Sequence, residues 1–257
     1  MKESNSSAEH HRRSDVILAV DAGNSRVKWA LHDGRAFAKE AWVALADVRE
    51  LGQAWTPLPQ PSRIVVANVA GDGVRDGLRE SFGMWNAEVI WVAGQRSECG
   101  VTSLYDVPAR LGPDRWAALI GARHLEKGAC LVVNSGTAMT VDALNAAGEF
   151  LGGLIVPGFD LMHQSLARST ALLSPEQGRY AAFPRNSADA ITSGAIQALC
   201  GAVERMKNEM AAAGEGEPAV LVTGGAGGVL AEHLQMRARY VERLVLEGLV
   251  RIAGGAA

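Results

Sequence analysis

The feature that most constrains this chain is a short polar turn that occurs twice. Asp21-Ala22-Gly23-Asn24-Ser25 and Asn134-Ser135-Gly136-Thr137-Ala138 each follow an apolar strand-like run, and a second strand-like run follows each turn. Such a turn leaves backbone N–H groups and small polar side chains beyond the strand ends. Either turn alone is an ordinary hairpin. Because the pattern recurs, with Gly34 and Gly148 marking the next turns, we predict two similar halves that hold nucleotide phosphates between them.

Composition narrows the class of ligand and partner. The chain has 257 residues, of which 48% are hydrophobic, so it can bury one large core or two of ordinary size. A net charge of −3 gives no basic surface for nucleic acid, so an anionic ligand needs a few placed cations, backbone amides or a metal ion. No apolar run reaches the roughly 18 residues that cross a bilayer. We therefore predict no membrane or nucleic-acid partner, and a disordered leader over residues 1–14. The three cysteines, Cys99, Cys130 and Cys200, have neither a zinc spacing nor an even disulfide framework, which favours reduced thiols in a cytoplasmic protein.

The order of strand-like and helical segments predicts a mixed α/β fold. A three-run meander begins at Val16, and a helix over residues 72–82 separates two β-rich runs. A helix starting near Arg110 leads to a second meander at Cys130, and a long helix follows over residues 186–213. This arrangement resembles duplicated ribonuclease H-like halves, as in actin, hexokinase and the heat-shock chaperone ATPases, with nucleotide in the cleft. We place the halves at residues 15–115 and 116–257.

The first turn carries the groups that a triphosphate requires. Asp21 can order a magnesium-bound water, Gly23 allows close approach of a phosphate, and Lys28 supplies a cation on the next strand. A plain Asx-type hairpin explains the same residues. Lys28 alternates with apolar neighbours, so a place on the solvated face of its strand also stays open.

A second group of residues runs from Tyr105 to Arg115. Pro113 suits the first position of a helix, so Asp114 would project from the amino-terminal end of that helix. Asp114 could accept the proton of a substrate hydroxyl while Arg115 and the Tyr105 hydroxyl hold a polar acceptor. The alternative is a helix-start acid favoured by the macrodipole, followed by a surface arginine.

Two further segments have alternative interpretations. Thr137 is suited to contact a phosphate oxygen, whereas Thr140 and Asp142 could be ordinary strand residues facing solvent. The glycine-rich run at residues 223–228 lacks the glycine spacing of a dinucleotide fingerprint. For that run we favour a face against which adenine or ribose lies.

Five segments in order resemble the type III pantothenate kinases and span most of the chain. They are Asp21-Ala22-Gly23-Asn24-Ser25 with Lys28, the segment from Tyr105 to Arg115, Ser135-Gly136-Thr137-Ala138 with Thr140 and Asp142, Gly152-Gly153-Leu154-Ile155-Val156-Pro157-Gly158, and Asn186-Ser187 with Ala190, Ile191 and Gly194. Each segment is short, and their combination in one order carries the resemblance.

The resemblance implies ATP-dependent phosphorylation of the pantothenate hydroxyl, with Mg²⁺, as the first step toward coenzyme A. It implies that Asp114 is the proton acceptor. The residues implied for ATP are Asp21, Ala22, Gly23, Asn24, Ser25, Arg26, Val27, Lys28 and Thr137. Those implied for pantothenate are Tyr105, Gly112, Pro113, Asp114, Arg115 and Ser187. It also implies a homodimer with the substrate pocket at the interface, where His163 and Arg168 are candidate contacts from the second subunit.

The chain departs from the family pattern at two positions. Asn134 stands where the family usually has an aspartate that helps bind a monovalent cation such as K⁺ or NH₄⁺, so we predict a weak potassium requirement. Ser187 replaces the usual threonine and keeps the hydroxyl.

Two alternatives stay open at this point. The first is a regulatory or accessory protein of the same fold without catalysis, which the change at Asn134 favours and intact Asp21, Asp114 and Arg115 disfavour. The second is a sugar or acetate kinase of the same superfamily, which the segment from Tyr105 to Arg115 disfavours.

Overall fold

The computed structural model describes residues 16–169 and 176–254, and the leader predicted for residues 1–14 lies outside them. In chain order, the first elements are β1 (Ile17–Ala22), β2 (Arg26–His32), β3 (Phe37–Ala44), α1 (Leu51–Trp55), β4 (Arg63–Asn68), α2 (Asp72–Phe82), β5 (Glu88–Trp91), β6 (Ser97–Glu98), β7 (Val101–Ser103) and α3 (Pro113–Leu125). The elements that follow are β8 (Cys130–Ser135), β9 (Ala138–Leu144), β10 (Glu149–Pro157), α4 (Phe159–Ser169), α5 (Ser187–Ala212), β11 (Ala219–Thr223), α6 (Gly227–His233), β12 (Ala238–Tyr240) and α7 (Leu244–Gly254).

The two β-sheets repeat one strand arrangement. In the first sheet the order is β3-β2-β1-β4-β5, with an antiparallel meander from β1 to β3 and with β4 and β5 parallel to β1. In the second sheet β10-β9-β8-β11-β12 reproduce that order and those directions. The predicted duplicated α/β fold is therefore confirmed.

The second sheet also contains β6 and β7, which precede its other strands in the chain. β7 pairs in parallel with the start of β10, and β6 pairs with β7. Both strands lie before the predicted boundary at residues 115 and 116, so the chain crosses between the sheets earlier than α3. That boundary stays a prediction.

The predicted helices agree with the structure except at one end. Residues 72–82 form α2, and the Asn186 side chain caps α5 by accepting a hydrogen bond from the Asp189 N–H at 2.9 Å. The helix expected near Arg110 begins instead at Pro113, after a separate 3₁₀ turn at Pro108–Arg110. Pro113 holds the preceding residue, Gly112, in an extended conformation, so a helix cannot run through that position.

Helices and sheets alternate in layers. α1 and α2 cover the outer face of the first sheet, α5 and α6 cover the outer face of the second, and α3 and α7 lie between the sheets. α3 and α7 approach closely at Gly121 and Gly248, where a Cβ atom on either glycine would meet backbone of the other helix. Within the described residues, no helix combines the length and apolar character needed to cross a lipid bilayer.

Candidate active site

The two polar turns that repeat in the sequence meet in the structure. The Ser25 Oγ and Thr137 Oγ1 atoms are 2.8 Å apart and share a hydrogen bond, although they lie 112 positions apart in the chain. One turn joins β1 to β2 and the other joins β8 to β9, the equivalent strands of the two sheets. The duplication of the fold thus brings both turns to one place between the halves.

In each turn the glycine N–H is hydrogen-bonded within the turn, whereas neighbouring N–H groups are not. Gly23 donates to the Arg26 carbonyl at 3.0 Å, and Gly136 donates to the Ala138 carbonyl at 3.1 Å. In the part of the chain that the structure describes, the N–H groups of Asn24, Ser25 and Thr137 have no hydrogen-bond partner, and these residues are exposed. Open amides with adjacent hydroxyls are suited to phosphate oxygens.

Asp21 and Lys28 lie opposite each other on β1 and β2, at the base of the first turn. Burial, and after it the negative charge of Asp114, raise the pKa of the Asp21 carboxyl to about 7, although Lys28 opposes both effects. Lys28 is only partly exposed and acts on Asp21. Its charge beside Asp21 supports the interpretation of Lys28 as a placed cation, which stays a prediction.

Asp114 lies in the first turn of α3, directly after Pro113. Its side chain is partly buried, and burial raises the pKa of its carboxyl, although hydrogen bonding to the Arg115 N–H counteracts part of that rise. A Cβ atom at Gly112 would stand 2.7 Å from the Asp114 Oδ1 atom. The glycine therefore leaves the space that this carboxylate occupies.

Arg115 is not a surface residue, which corrects one of the two interpretations of this segment. Its side chain is only 6% exposed and forms an ion pair with Asp142, which is 1% exposed. The Arg115 Nε atom lies 3.2 Å from both Asp142 carboxylate oxygens, and Nη2 also donates to Oδ1. Burial opposes the charge on Arg115, but the hydrogen bonds and attraction from Asp142 outweigh it and raise the pKa of the guanidinium.

The same guanidinium holds Tyr105. The Arg115 Nη1 atom donates to the Tyr105 hydroxyl oxygen at 3.1 Å, and the tyrosine ring packs on Phe150 with ring centroids 5.0 Å apart. Tyr105 and Arg115, which the sequence predicts to act together, are therefore in direct contact.

Thr140 and Asp142 do not face solvent, so the interpretation of both as ordinary solvent-facing strand residues is wrong. Both are buried on β9, and Thr140 is hydrogen-bonded to the Asp142 carboxylate. Asp142 pairs across the sheet with Gly153, where a Cβ atom would collide with Asp142 and Arg115. Two signals could have revealed the site: a charge inside an apolar strand, and paired glycines in the next strand.

The glycine-rich run after β11 packs against the second turn. Gly224 has a φ of +93°, and a Cβ atom there would stand 2.7 Å from the Asn134 Oδ1 atom. The Ala226 N–H donates to the Ser135 carbonyl at 3.1 Å. Asn134 therefore lies between the second turn and the glycine-rich run, and the run borders the place where the turns meet.

Ser187 is the exposed first residue of α5, and no hydrogen bond or ion pair in the described residues joins it to Asp114 or Arg115. Its contact with pantothenate stays a prediction. His163 lies on α4, where Nε2 is 3.3 Å from the Glu176 carbonyl oxygen. The side chain of Arg168 lies outside the described part of the structure.

The duplicated sheets and the paired turns define a fold class, the two-lobed fold of actin and hexokinase. The activator of 2-hydroxyisocaproyl-CoA dehydratase from Clostridium difficile, solved with bound ADPNP, aligns with a TM-score of 0.51 at 11% identity and covers 93% of this chain and 92% of its own. A Campylobacter jejuni protein named for the Baf family of transcriptional activators aligns at 0.58 with 22% identity, over 92% of this chain and 97% of its own. Both likenesses concern the fold alone.

Sequence relatives identify the family. The profile of type III pantothenate kinases matches residues 17–209. A type III pantothenate kinase of Nitrosospira multiformis is 46% identical over 238 residues, which cover 93% of this chain and 91% of the relative. The chain belongs to the type III pantothenate kinase family, and it is an ATP-dependent kinase.

Proposed function

We propose that this protein transfers the terminal phosphate of ATP to the hydroxyl of pantothenate and forms 4'-phosphopantothenate, with Asp114 as the proton acceptor. Membership of the family supports the reaction. The observation that carries the role of Asp114 is its setting, because this partly buried carboxylate with a raised pKa acts electrostatically on Asp21 at the base of the first turn. A base of raised pKa holds a proton more readily near neutral pH.

Each group of residues contributes to phosphoryl transfer by position and charge. Ser25, Thr137 and the open amides of the two turns would hold phosphate oxygens, and Lys28 would offset their charge. Asp114 would take the proton of the pantothenate hydroxyl. At the same time the hydroxyl oxygen would bond to the terminal phosphorus of ATP, and ADP would leave. Tyr105, Gly112, Pro113 and Arg115 would line the acceptor side of the site.

The residues fit a magnesium ion that ATP carries into the site. In the described residues, no group of three His, Cys, Asp or Glu side chains could hold a metal ion alone. Magnesium at such sites usually binds through one or two carboxylates, waters and substrate phosphates. Asp21 would supply the protein's share, and the ion would neutralise phosphate charge.

Asn134 would weaken the binding of a monovalent cation. The amide offers one neutral oxygen where a carboxylate would offer a charge, and that oxygen already lies against Gly224. We expect activity to depend little on K⁺ or NH₄⁺. Turnover measured in sodium and in potassium buffers tests this, and strong activation by low millimolar potassium would contradict it.

We also propose that the protein is a homodimer. Exposed apolar side chains occur on β10 and α4, and they comprise Leu154, Ile155 and Leu161. Among the described residues, β10 beyond Phe150 has a ladder with β9 only, so no described strand covers its other edge. A second copy that covers β10 and α4 could bring its exposed Ser187 to the acceptor side.

An assay of ADP release tests the reaction. Purified protein is supplied with ATP and Mg²⁺ together with pantothenate, and in parallel with a panel of sugars and small acids. We expect turnover with pantothenate and with none of the other acceptors. Turnover with a sugar or an acid but not with pantothenate would favour another kinase of the superfamily, and no turnover with any acceptor would favour an accessory role.

A further inference from the structure

The pair formed by Arg115 and Asp142 is the most deeply buried polar contact beside the acceptor site. It crosses from the first turn of α3 to the middle of β9, so it joins the segment that carries Asp114 to the second sheet. Buried ion pairs seldom add much stability, because desolvation offsets most of the attraction. This pair therefore needs an explanation other than stability.

The hydrogen bonds of Arg115 limit what it can do for a substrate. Nε and Nη2 donate to Asp142, and Nη1 donates to the Tyr105 hydroxyl oxygen. Two of the five guanidinium N–H groups are left, but the Arg115 side chain is only 6% exposed and its charge is balanced by Asp142. The partly exposed hydroxyl of Tyr105 is therefore easier for a substrate to reach.

The hydrogen bond from Arg115 determines what the Tyr105 hydroxyl can do. A tyrosine hydroxyl has one proton to donate and an oxygen that can accept. Arg115 can only donate, so the Tyr105 oxygen accepts from it and the Tyr105 proton must go elsewhere. No acceptor for that proton is found within residues 16–169 and 176–254. The proton is free to bind an oxygen of the substrate.

We propose that Asp142 is a positioning residue for pantothenate binding: it fixes Arg115, and Arg115 sets the Tyr105 hydroxyl to donate a hydrogen bond to a carbonyl or carboxylate oxygen of the substrate. The inference rests on the proposed pantothenate kinase function. Thr140 and Gly153 complete the arrangement, because Thr140 is hydrogen-bonded to the Asp142 carboxylate and the missing side chain at Gly153 makes room for it.

Steady-state kinetics of Asp142→Asn test the proposal. We expect the KM for pantothenate to rise about tenfold or more, as for a lost charge-assisted hydrogen bond, while the KM for ATP changes less than about twofold. Glu40→Gln is the matched control, because it removes a carboxylate paired with Arg243 at 3.2 Å away from the site. The control should leave both KM values unchanged.

A double-mutant cycle separates positioning from general damage. In a Tyr105→Phe background the hydroxyl is gone, so Asp142→Asn should add less than about a twofold further rise in the KM for pantothenate. An equal effect of Asp142→Asn in both backgrounds, an unchanged KM for pantothenate, or a matching rise in the KM for ATP would overturn the proposal.

Two further measurements keep the result interpretable. If Asp142→Asn does not fold, Thr140→Val removes only the hydroxyl that supports Asp142, and the same cycle with Tyr105→Phe applies to it. The wild-type protein is assayed first: absence of turnover with pantothenate refutes the proposed function. Wild-type turnover with no change in the variants refutes only the role of Asp142.

Discussion

Asp21 and Asp114 are two carboxylates whose pKa values are both raised, first of all by burial. Lys28 opposes the rise at Asp21, whose pKa reaches about 7, and a hydrogen bond from the Arg115 N–H opposes the rise at Asp114. The proposed function assigns charge balance to Asp21 and proton transfer to Asp114.

Replacing Asp114 by asparagine tests its role as the base. We expect turnover with pantothenate to fall about a hundredfold or more, because general-base assistance is lost, while ATP binding is retained. Measuring kcat alongside the dissociation constant for ATP checks both parts. Unchanged turnover would remove Asp114 from the mechanism.

The pKa of Asp21 predicts how ATP binding depends on pH. Below its pKa of about 7 the carboxyl is protonated, so the affinity for ATP with Mg²⁺ should rise with pH and level off above that value. The same shift predicts that the free energy of unfolding falls as pH rises from 3.8 toward about 7. In that range the carboxyl ionises in the unfolded chain but stays protonated in the folded protein, where its pKa is higher. Titrating the dissociation constant between pH 6 and 8.5 is the measurement.

Two variants isolate this titration from that of ATP itself. Asp21→Asn should flatten the pH dependence that belongs to the protein. Lys28→Met should move its midpoint upward, because Lys28 lowers the pKa of Asp21. Equal slopes in wild type and Asp21→Asn would show that Asp21 does not titrate in this range.

Among the secondary-structure elements, α3 and α7 link the two halves. α7 packs on α3 and also contacts β1 and β4 of the first sheet, while its buried face shares a core with β8 and β11. The helix backbones touch because Gly121 and Gly248 have no side chains at the crossing. Since α3 also carries Asp114, the closeness of this crossing helps to fix the helix that holds this carboxylate.

Gly248→Ala tests that crossing. The added methyl would collide with the carbonyl of Ala117, so we expect a loss of about 1–3 kcal/mol in the free energy of unfolding. Gly201→Ala on α5 is the control, because its methyl would meet nothing within 4 Å and alanine favours a helix by up to about 1 kcal/mol. Urea unfolding of both variants gives the comparison, and equal stabilities would contradict the expectation.

For the molecule as a whole, duplication explains where the site lies. Each half ends the equivalent strand in a polar turn, and the hydrogen bond between Ser25 and Thr137 shows that the turns converge. The second half adds β6, β7 and exposed apolar side chains on β10 and α4. The two turns therefore meet within one chain, whereas the proposed contact with a second copy involves β10 and α4 of the second half.

Ile155→Glu tests the proposed dimer. Ile155 is 64% exposed in the single chain, and a charge there would be desolvated at an interface, so we expect particles near the monomer mass of 27.1 kDa. Light scattering after size exclusion measures this, and the KM for pantothenate should rise with dissociation. Met84→Glu on the far side of the first half is the control. A dimer unaffected by Ile155→Glu would place the interface elsewhere.

The sequence by itself determined what depends on neighbours along the chain. The repeated turns, the strand alternation and the capped helix after Asn186 were predictable, because periodicity and turn chemistry are local. Tertiary structure alone decided the contact between Ser25 and Thr137, and the pairing of Arg115 with Asp142 across 27 positions. Such contacts depend on strand order, register and helix packing, which a local pattern does not fix. A charge in an apolar strand therefore looks like a surface residue until its partner is found.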